Sequence, residues 1–82
     1  MGQYLERREQ DLKSLGSSLA AADFDAIALT AHKLYGSGAA YGLDEVTRLG
    51  GELEKAARSG KPGEIAALLD ELGRYLQHLK LY

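Results

Sequence analysis

The stretch DFDAIALTAHKLYGSGAAYG, residues 23–42, decides the fold of this 82-residue chain. Its apolar residues recur every three or four positions, which is the spacing of one face of an α-helix. Asp23 is a suitable N-cap and Gly42 a suitable C-terminal stop, so the stretch predicts a helix that runs to about Ala40. The predicted buried stripe consists of Phe24, Ile27, Ala31, Leu34, Gly38 and Tyr41.

Three further amphipathic stretches surround this helix, over about residues 3–21, 44–59 and from 62 onward. Pro62 suits the first turn of the last one. Connections of a few residues force consecutive helices to be antiparallel neighbours. We therefore predict an all-α fold, an antiparallel up-down-up-down four-helix bundle forming a single domain over residues 1–82. Its further core positions are Leu5, Leu12, Leu15, Leu19, Leu43, Val46, Leu49, Gly50, Leu53, Ala56 or Ala57, Ile65, Leu68, Leu69, Leu72, Leu76 and Leu79.

Arg8 fills a gap in the first apolar stripe. We expect its methylene groups to lie along the edge of the core while its guanidinium stays in water, as long cationic side chains commonly do.

Composition narrows the function. A hydrophobic content of 45% with 27% charged residues is typical of a globular domain. The chain has no cysteine, which excludes disulfides, thiolate metal sites and thiol nucleophiles. A net charge of −2 argues against nucleic acid as a partner. No signal-like segment and no run of eighteen apolar residues occurs, so we expect a cytoplasmic protein without a membrane partner.

His32 is the candidate reactive side chain. It follows Ala31 by about 100° around the helix, which places it at the edge of the buried stripe. On its own face it has Leu29, expected to be partly exposed, and Gly36, which carries no side chain. Glycine inside a helix is unfavourable by roughly 1 kcal/mol relative to alanine, so something other than helix stability favours Gly36 and Gly38. A lone histidine at a helix edge is otherwise most often structural or merely solvated.

The residues around His32 resemble the motif of the histidine-containing phosphotransfer (HPt) domain family, approximately AHxLKGSxxxxG. The matching positions are Ala31, His32, Leu34, Gly36, Ser37 and Gly42. A second element agrees independently: relatives carry a Glu or Gln twenty-two residues after the histidine, in a segment that reads much like LxxxLE. Here that position is Glu54, within LGGELE, residues 49–54.

This resemblance implies a phosphorelay module of two-component signalling, a phosphoryl carrier rather than an enzyme. His32 would form the phosphohistidine, and Glu54 would orient and stabilise its ring. The implied partners are a sensor histidine kinase and a response-regulator receiver domain, with Mg²⁺ on the receiver and no cofactor on this chain, which we expect to be a monomer. The expected docking residues are Leu29, Lys33, Tyr35, Gly36, Ser37 and Gly38.

The chain departs from the motif at Tyr35, where relatives usually carry a lysine that can contact the phosphoryl group. Lys33 points about 100° away from His32, and Arg48 and Lys55 are further candidates for the missing cation. One alternative is therefore a degenerate HPt-like interaction module that binds a receiver or kinase without being phosphorylated.

Other polar and small residues have simpler interpretations. A metal site of His32 with Glu52 and Glu54 lacks the spacing of a bundle metal centre, so we expect none. His78 is expected to be exposed. The pair Gly50 and Gly51 permits either close helix packing or the approach of a partner.

Overall fold

The computed structural model describes residues 2–80 and contains four α-helices. These are α1 (Gly2–Ala20), α2 (Phe24–Tyr41), α3 (Asp44–Arg58) and α4 (Pro62–Lys80). The described residues include no strand. The prediction of an all-helical chain with four helices is confirmed, and each end that was predicted lies within one residue of its expected position.

The four helices pack around one apolar core. α2 and α3 share the most extensive contact, α1 packs against α2 and α4, and α3 also packs against α4. The molecule measures 34 × 20 × 17 Å along its principal axes, so its long dimension follows helices of 15 to 19 residues. The largest fully buried side chains come from all four helices and are Leu15, Ile27, Leu34, Val46, Leu49, Leu53, Ile65 and Leu72.

Both ends of α2 are stabilised as its sequence predicts. The Asp23 carboxylate accepts a hydrogen bond of 3.2 Å from the backbone N–H of Ala26, which satisfies one of the free donors of the first turn. At the other end Gly42 has a φ of 68°, in the left-handed region that favours glycine. The backbone N–H of Leu43 then donates to the carbonyl of Gly38 at 2.8 Å, closing the helix end.

Two glycines allow α2 and α3 to approach backbone to backbone. A Cβ atom on Gly38 would lie 2.5 Å from the backbone nitrogen of Thr47, and one on Gly50 would lie 2.5 Å from the backbone nitrogen of Tyr35. Both glycines are buried. The close-packing interpretation of Gly50 is therefore correct. The expectation that Gly38 belongs to a docking surface is wrong, because α3 covers it.

Two predictions about the edge of the core are also wrong. Tyr41 was assigned to the buried stripe, but it is 60% exposed because its ring packs outside the core on Tyr4 of α1, with 4.2 Å between ring centroids. The Arg8 guanidinium does not extend into water. It lies 4.8 Å from the Tyr4 ring centroid, and Nε is 2.8 Å from Oδ2 of Asp11 in an ion pair without hydrogen-bond geometry.

Gly50→Ala is expected to lower the free energy of unfolding by about 1–3 kcal/mol, because its methyl group would meet the α2 backbone, which has nowhere to move. Gly36→Ala is the matched control. A Cβ there meets no atom within 4 Å, so the same substitution should raise stability by up to about 1 kcal/mol through helix propensity. Urea unfolding measures both, and equal effects would contradict the assigned close approach.

Candidate functional site

His32 and Glu54 face each other across the contact between α2 and α3. Nδ1 of His32 lies 3.2 Å from Oε1 of Glu54, and the two residues are separated by 22 positions in the chain. The close approach at Gly50 explains this pairing. A Cβ on Gly50 would lie 2.9 Å from the carbonyl oxygen of Ala31, the residue before His32. Glu54 follows Gly50 by about one turn of α3, so it lies next to the same part of α2.

The pairing also assigns the roles of the two ring nitrogens. An ionised carboxylate can only accept a hydrogen bond, so Nδ1 of His32 carries the proton and donates the hydrogen bond to Glu54. In the neutral ring Nε2 then carries the free lone pair. The His32 side chain is 69% exposed, which leaves this nitrogen accessible from solvent.

Arg58 is a third member of this site, and the sequence analysis did not identify it as a site residue. Its Nη2 and Nε atoms donate to Oε2 of Glu54 at 2.8 and 3.2 Å, while Oε1 of the same carboxylate faces His32. The hydrogen bonds from Arg58, and after them the one from His32, hold the pKa of Glu54 below its usual value. The available signal was the four-residue spacing of Glu54 and Arg58 on one helix, which brings such side chains into contact.

The expected docking residues differ in how far they are exposed to solvent. Leu29 is 61% exposed and Tyr35 is 49% exposed, and they lie one turn before and one turn after His32 on α2. Gly36 opens onto free space, and the Tyr35 ring leans over Gly51 of α3. Ser37 is half-buried. Its hydroxyl donates a hydrogen bond to the Leu34 carbonyl at 3.1 Å and lies 3.3 Å from the Tyr4 hydroxyl.

The candidates for the missing cation lie on different faces. The Arg48 guanidinium is bound by the carboxylates of Glu45, Glu52 and Glu71, which hold its pKa above the usual range. Because these three carboxylates occupy it, Arg48 is not an available phosphate ligand, and that suggestion is corrected. Lys55 lines a groove between α3 and α4. Lys33 lines a groove between α1 and α2.

Within residues 2–80 no three His, Cys, Asp or Glu side chains gather as a metal-binding cluster would. His78 is exposed, as expected. None of the helices in that range combines the length and the apolar character that a membrane span requires.

The helical protein thus presents an exposed histidine that a carboxylate of the neighbouring helix holds through one ring nitrogen. The family model described as Hpt domain matches residues 1–81 of the chain. The protein therefore belongs to the Hpt domain family, the phosphotransfer modules of two-component signalling, which carry phosphoryl groups between receiver domains and kinases. Comparisons with curated proteins and with solved structures gave no significant match.

Arg58→Ala is expected to raise the pKa of Glu54 toward 4.5, because the largest cause of its lowered value is removed. A carboxyl whose pKa is lower in the folded chain stabilises the fold above its unfolded pKa and loses that effect as the pH falls through the lowered folded value. The variant should therefore lose less stability below about pH 4.5. Carbon-13 NMR of the carboxyl groups measures the titration.

Arg74→Ala is the control for this prediction, since it removes a similarly exposed arginine that pairs with a carboxylate four residues away, Asp70 on α4. Arg74→Ala should leave the pKa of Glu54 unchanged. A Glu54 pKa unchanged by Arg58→Ala would contradict the contact between Arg58 and Oε2 of Glu54.

Proposed function

We propose that His32 is the phosphoacceptor of this Hpt domain and that Nε2 is the nitrogen that receives the phosphoryl group. The observation that supports this most directly is the contact between Nδ1 and Glu54 at 3.2 Å, which in the neutral ring leaves the free lone pair on Nε2 of a largely exposed side chain. A carboxylate that fixes the tautomer of a reactive histidine in this way also stabilises the positive charge that develops on the ring.

In the proposed transfer the Nε2 lone pair of His32 attacks the phosphorus of an aspartyl phosphate on the receiver. The N–P bond forms while the P–O bond breaks, and the electron pair leaves with the aspartate carboxylate. Nδ1 keeps its proton throughout, so the ring becomes cationic and its hydrogen bond to Glu54 becomes charge-assisted. The reverse reaction returns the group to another receiver. Mg²⁺ on the receiver would stabilise the transferring phosphoryl oxygens, and this chain would supply no cofactor.

The proposed docking surface consists of Leu29, Tyr35, Gly36 and the edge of Lys33 around the imidazole. Its two large apolar side chains are exposed, and Gly36 leaves a gap beside the ring into which a partner's backbone can fit. Exposed apolar groups that flank a reactive side chain are a common feature of protein interaction sites. Ser37 contributes at the margin of this surface, where its hydroxyl is shared with the Leu34 carbonyl.

The same proposal includes the antiparallel up-down-up-down arrangement. It is supported by connections of two or three residues between the helices and by the order in which the helices contact one another. It also includes a monomeric, cytoplasmic module that a sensor kinase or receiver loads and a response regulator unloads.

One observation favours the second candidate function, a module that binds such partners without being phosphorylated. Tyr35 stands where relatives usually carry lysine, and its neutral ring lies over Gly51 without adding a positive charge at His32. The two functions share the docking surface and differ only in the chemistry of His32.

His32→Gln is expected to abolish phosphorylation while the fold is retained, because the exposed side chain leaves no core cavity when it is replaced. Wild type and variant are incubated with phosphoramidate and, separately, with a phosphorylated receiver domain. Acid-labile, alkali-stable phosphate should appear on the wild type and on the control variant His78→Gln, but not on His32→Gln. A wild type that takes up no phosphate favours the binding-only function, and label on His32→Gln contradicts the assignment.

Glu54→Ala is expected to slow transfer by about tenfold or more, because the ring loses the group that orients it. Nitrogen-15 NMR of His32 should show a single Nδ1–H tautomer in the wild type and a mixture in Glu54→Ala. Glu54→Gln is the control, since its amide oxygen still accepts from Nδ1. A tautomer that does not respond to Glu54→Ala would refute the proposed role.

A further inference from the structure

A groove of about 370 Å³ lies between α1 and α2. We refer to it as the α1–α2 groove. Its lining includes three cationic side chains and no carboxylate. Its charged and aromatic lining residues are Tyr4, Arg7, Arg8, Lys33 and Tyr41.

The groove lies on the α1 side of the helix that carries the proposed phosphoacceptor: Lys33, which lines it, directly follows His32 on α2 and is about 100° further around that helix. Arg7 and Lys33 are both exposed, and neither forms an ion pair with another residue in the described range 2–80. Their charges are therefore available to a partner. Arg8, in contrast, is 14% exposed and held over the Tyr4 ring, so it forms a fixed wall.

A second groove shows that this charge is local. The groove between α3 and α4 has a similar volume of about 350 Å³ and also contains two lysines, Lys55 and Lys61. That groove is also lined by two carboxylates, and one of them, Glu64, pairs with Lys61 at 3.8 Å. The whole chain carries a net charge of −2, so a groove with two unpaired cations and no carboxylate in its lining does not follow from composition.

We propose that the α1–α2 groove binds an acidic surface of the receiver domain while the aspartyl phosphate of that receiver reacts with His32. This inference rests on the proposed function and specifies how its partner is held. The receiver must bring an anionic phosphoryl group and the carboxylates that bind its metal ion against α2. The nearest available cation along α2 is Lys33, on the α1 side of the helix.

The groove also bears on position 35, where this chain has tyrosine and its relatives usually have lysine. The usual lysine one turn after the histidine would lie toward α3, where the Tyr35 ring now covers Gly51. Cationic side chains on the α1 side compensate for the charge that this position lacks. The receiver would therefore be oriented by attraction toward α1 rather than toward the contact between α2 and α3.

Exposed charges of this kind act mainly on the rate of association and are screened by salt. The test therefore compares two double variants with the same change in net charge. Arg7→Glu with Lys33→Glu reverses the α1–α2 groove, and Lys55→Glu with Lys61→Glu reverses the α3–α4 groove. Circular dichroism establishes that both variants are folded.

Each protein is scored by the ratio of two rates. The first is the second-order rate of phosphoryl transfer from a phosphorylated receiver domain, chosen as the fastest donor among receivers encoded in the same genome. The second is the rate of phosphorylation by phosphoramidate, a small donor that needs no docking surface. We expect the ratio to fall at least tenfold at low salt in the α1–α2 variant, with the difference from wild type shrinking at high salt.

The α3–α4 variant should keep a ratio within about twofold of wild type, because two carboxylates line that groove and one of them already pairs with Lys61. Equal losses in the two double variants, or none in either, would overturn the groove as the docking site while leaving His32 as the acceptor. If the wild type accepts no phosphate from phosphoramidate or receiver, the proposed function fails and this inference fails with it.

Discussion

The close approach of α2 and α3 is the constraint on which the site depends. At Gly50 the two backbones come so near that a single added Cβ would lie 2.5 Å from the nitrogen of Tyr35. Helix axes separated by larger side chains would place residues 32 and 54 too far apart for a direct contact. The 3.2 Å distance between the imidazole and the carboxylate is therefore a consequence of backbone packing one turn away.

Glycines on α2 serve opposite purposes within three residues. Gly38 faces Thr47 and permits packing, whereas a side chain at Gly36 would meet nothing. Close packing thus explains why glycine stands at position 38 despite its unfavourable helix propensity. It does not explain Gly36, whose lack of a side chain changes only what can approach His32 from outside the chain.

Much of this was predictable from the sequence, and the errors share a cause. Helical periodicity and the Asp23 and Gly42 caps predicted the elements, and the resemblance to the HPt family implied the contact of His32 with Glu54. Periodicity gives the direction of a residue around its own helix but not what the neighbouring helix places there. It therefore did not show that the Tyr41 ring would pack on Tyr4, outside the core. The partners of Arg8, Arg48 and Arg58 depend on long side chains with many rotamers, and no single periodic pattern determines which carboxylates they reach.

The group formed by His32, Glu54 and Arg58 contributes little to holding the protein together. The Arg58 side chain is 68% exposed and that of His32 is 69% exposed, and ion pairs in such positions add little to the free energy of unfolding. The core is complete without them, since its buried residues are apolar. What the group does determine is chemical: Arg58 holds one oxygen of Glu54, the other oxygen holds Nδ1, and the neutral ring then keeps its free lone pair on Nε2, as the proposed function requires. An arrangement that orients a ring without stabilising the fold is better explained by reactivity than by structure.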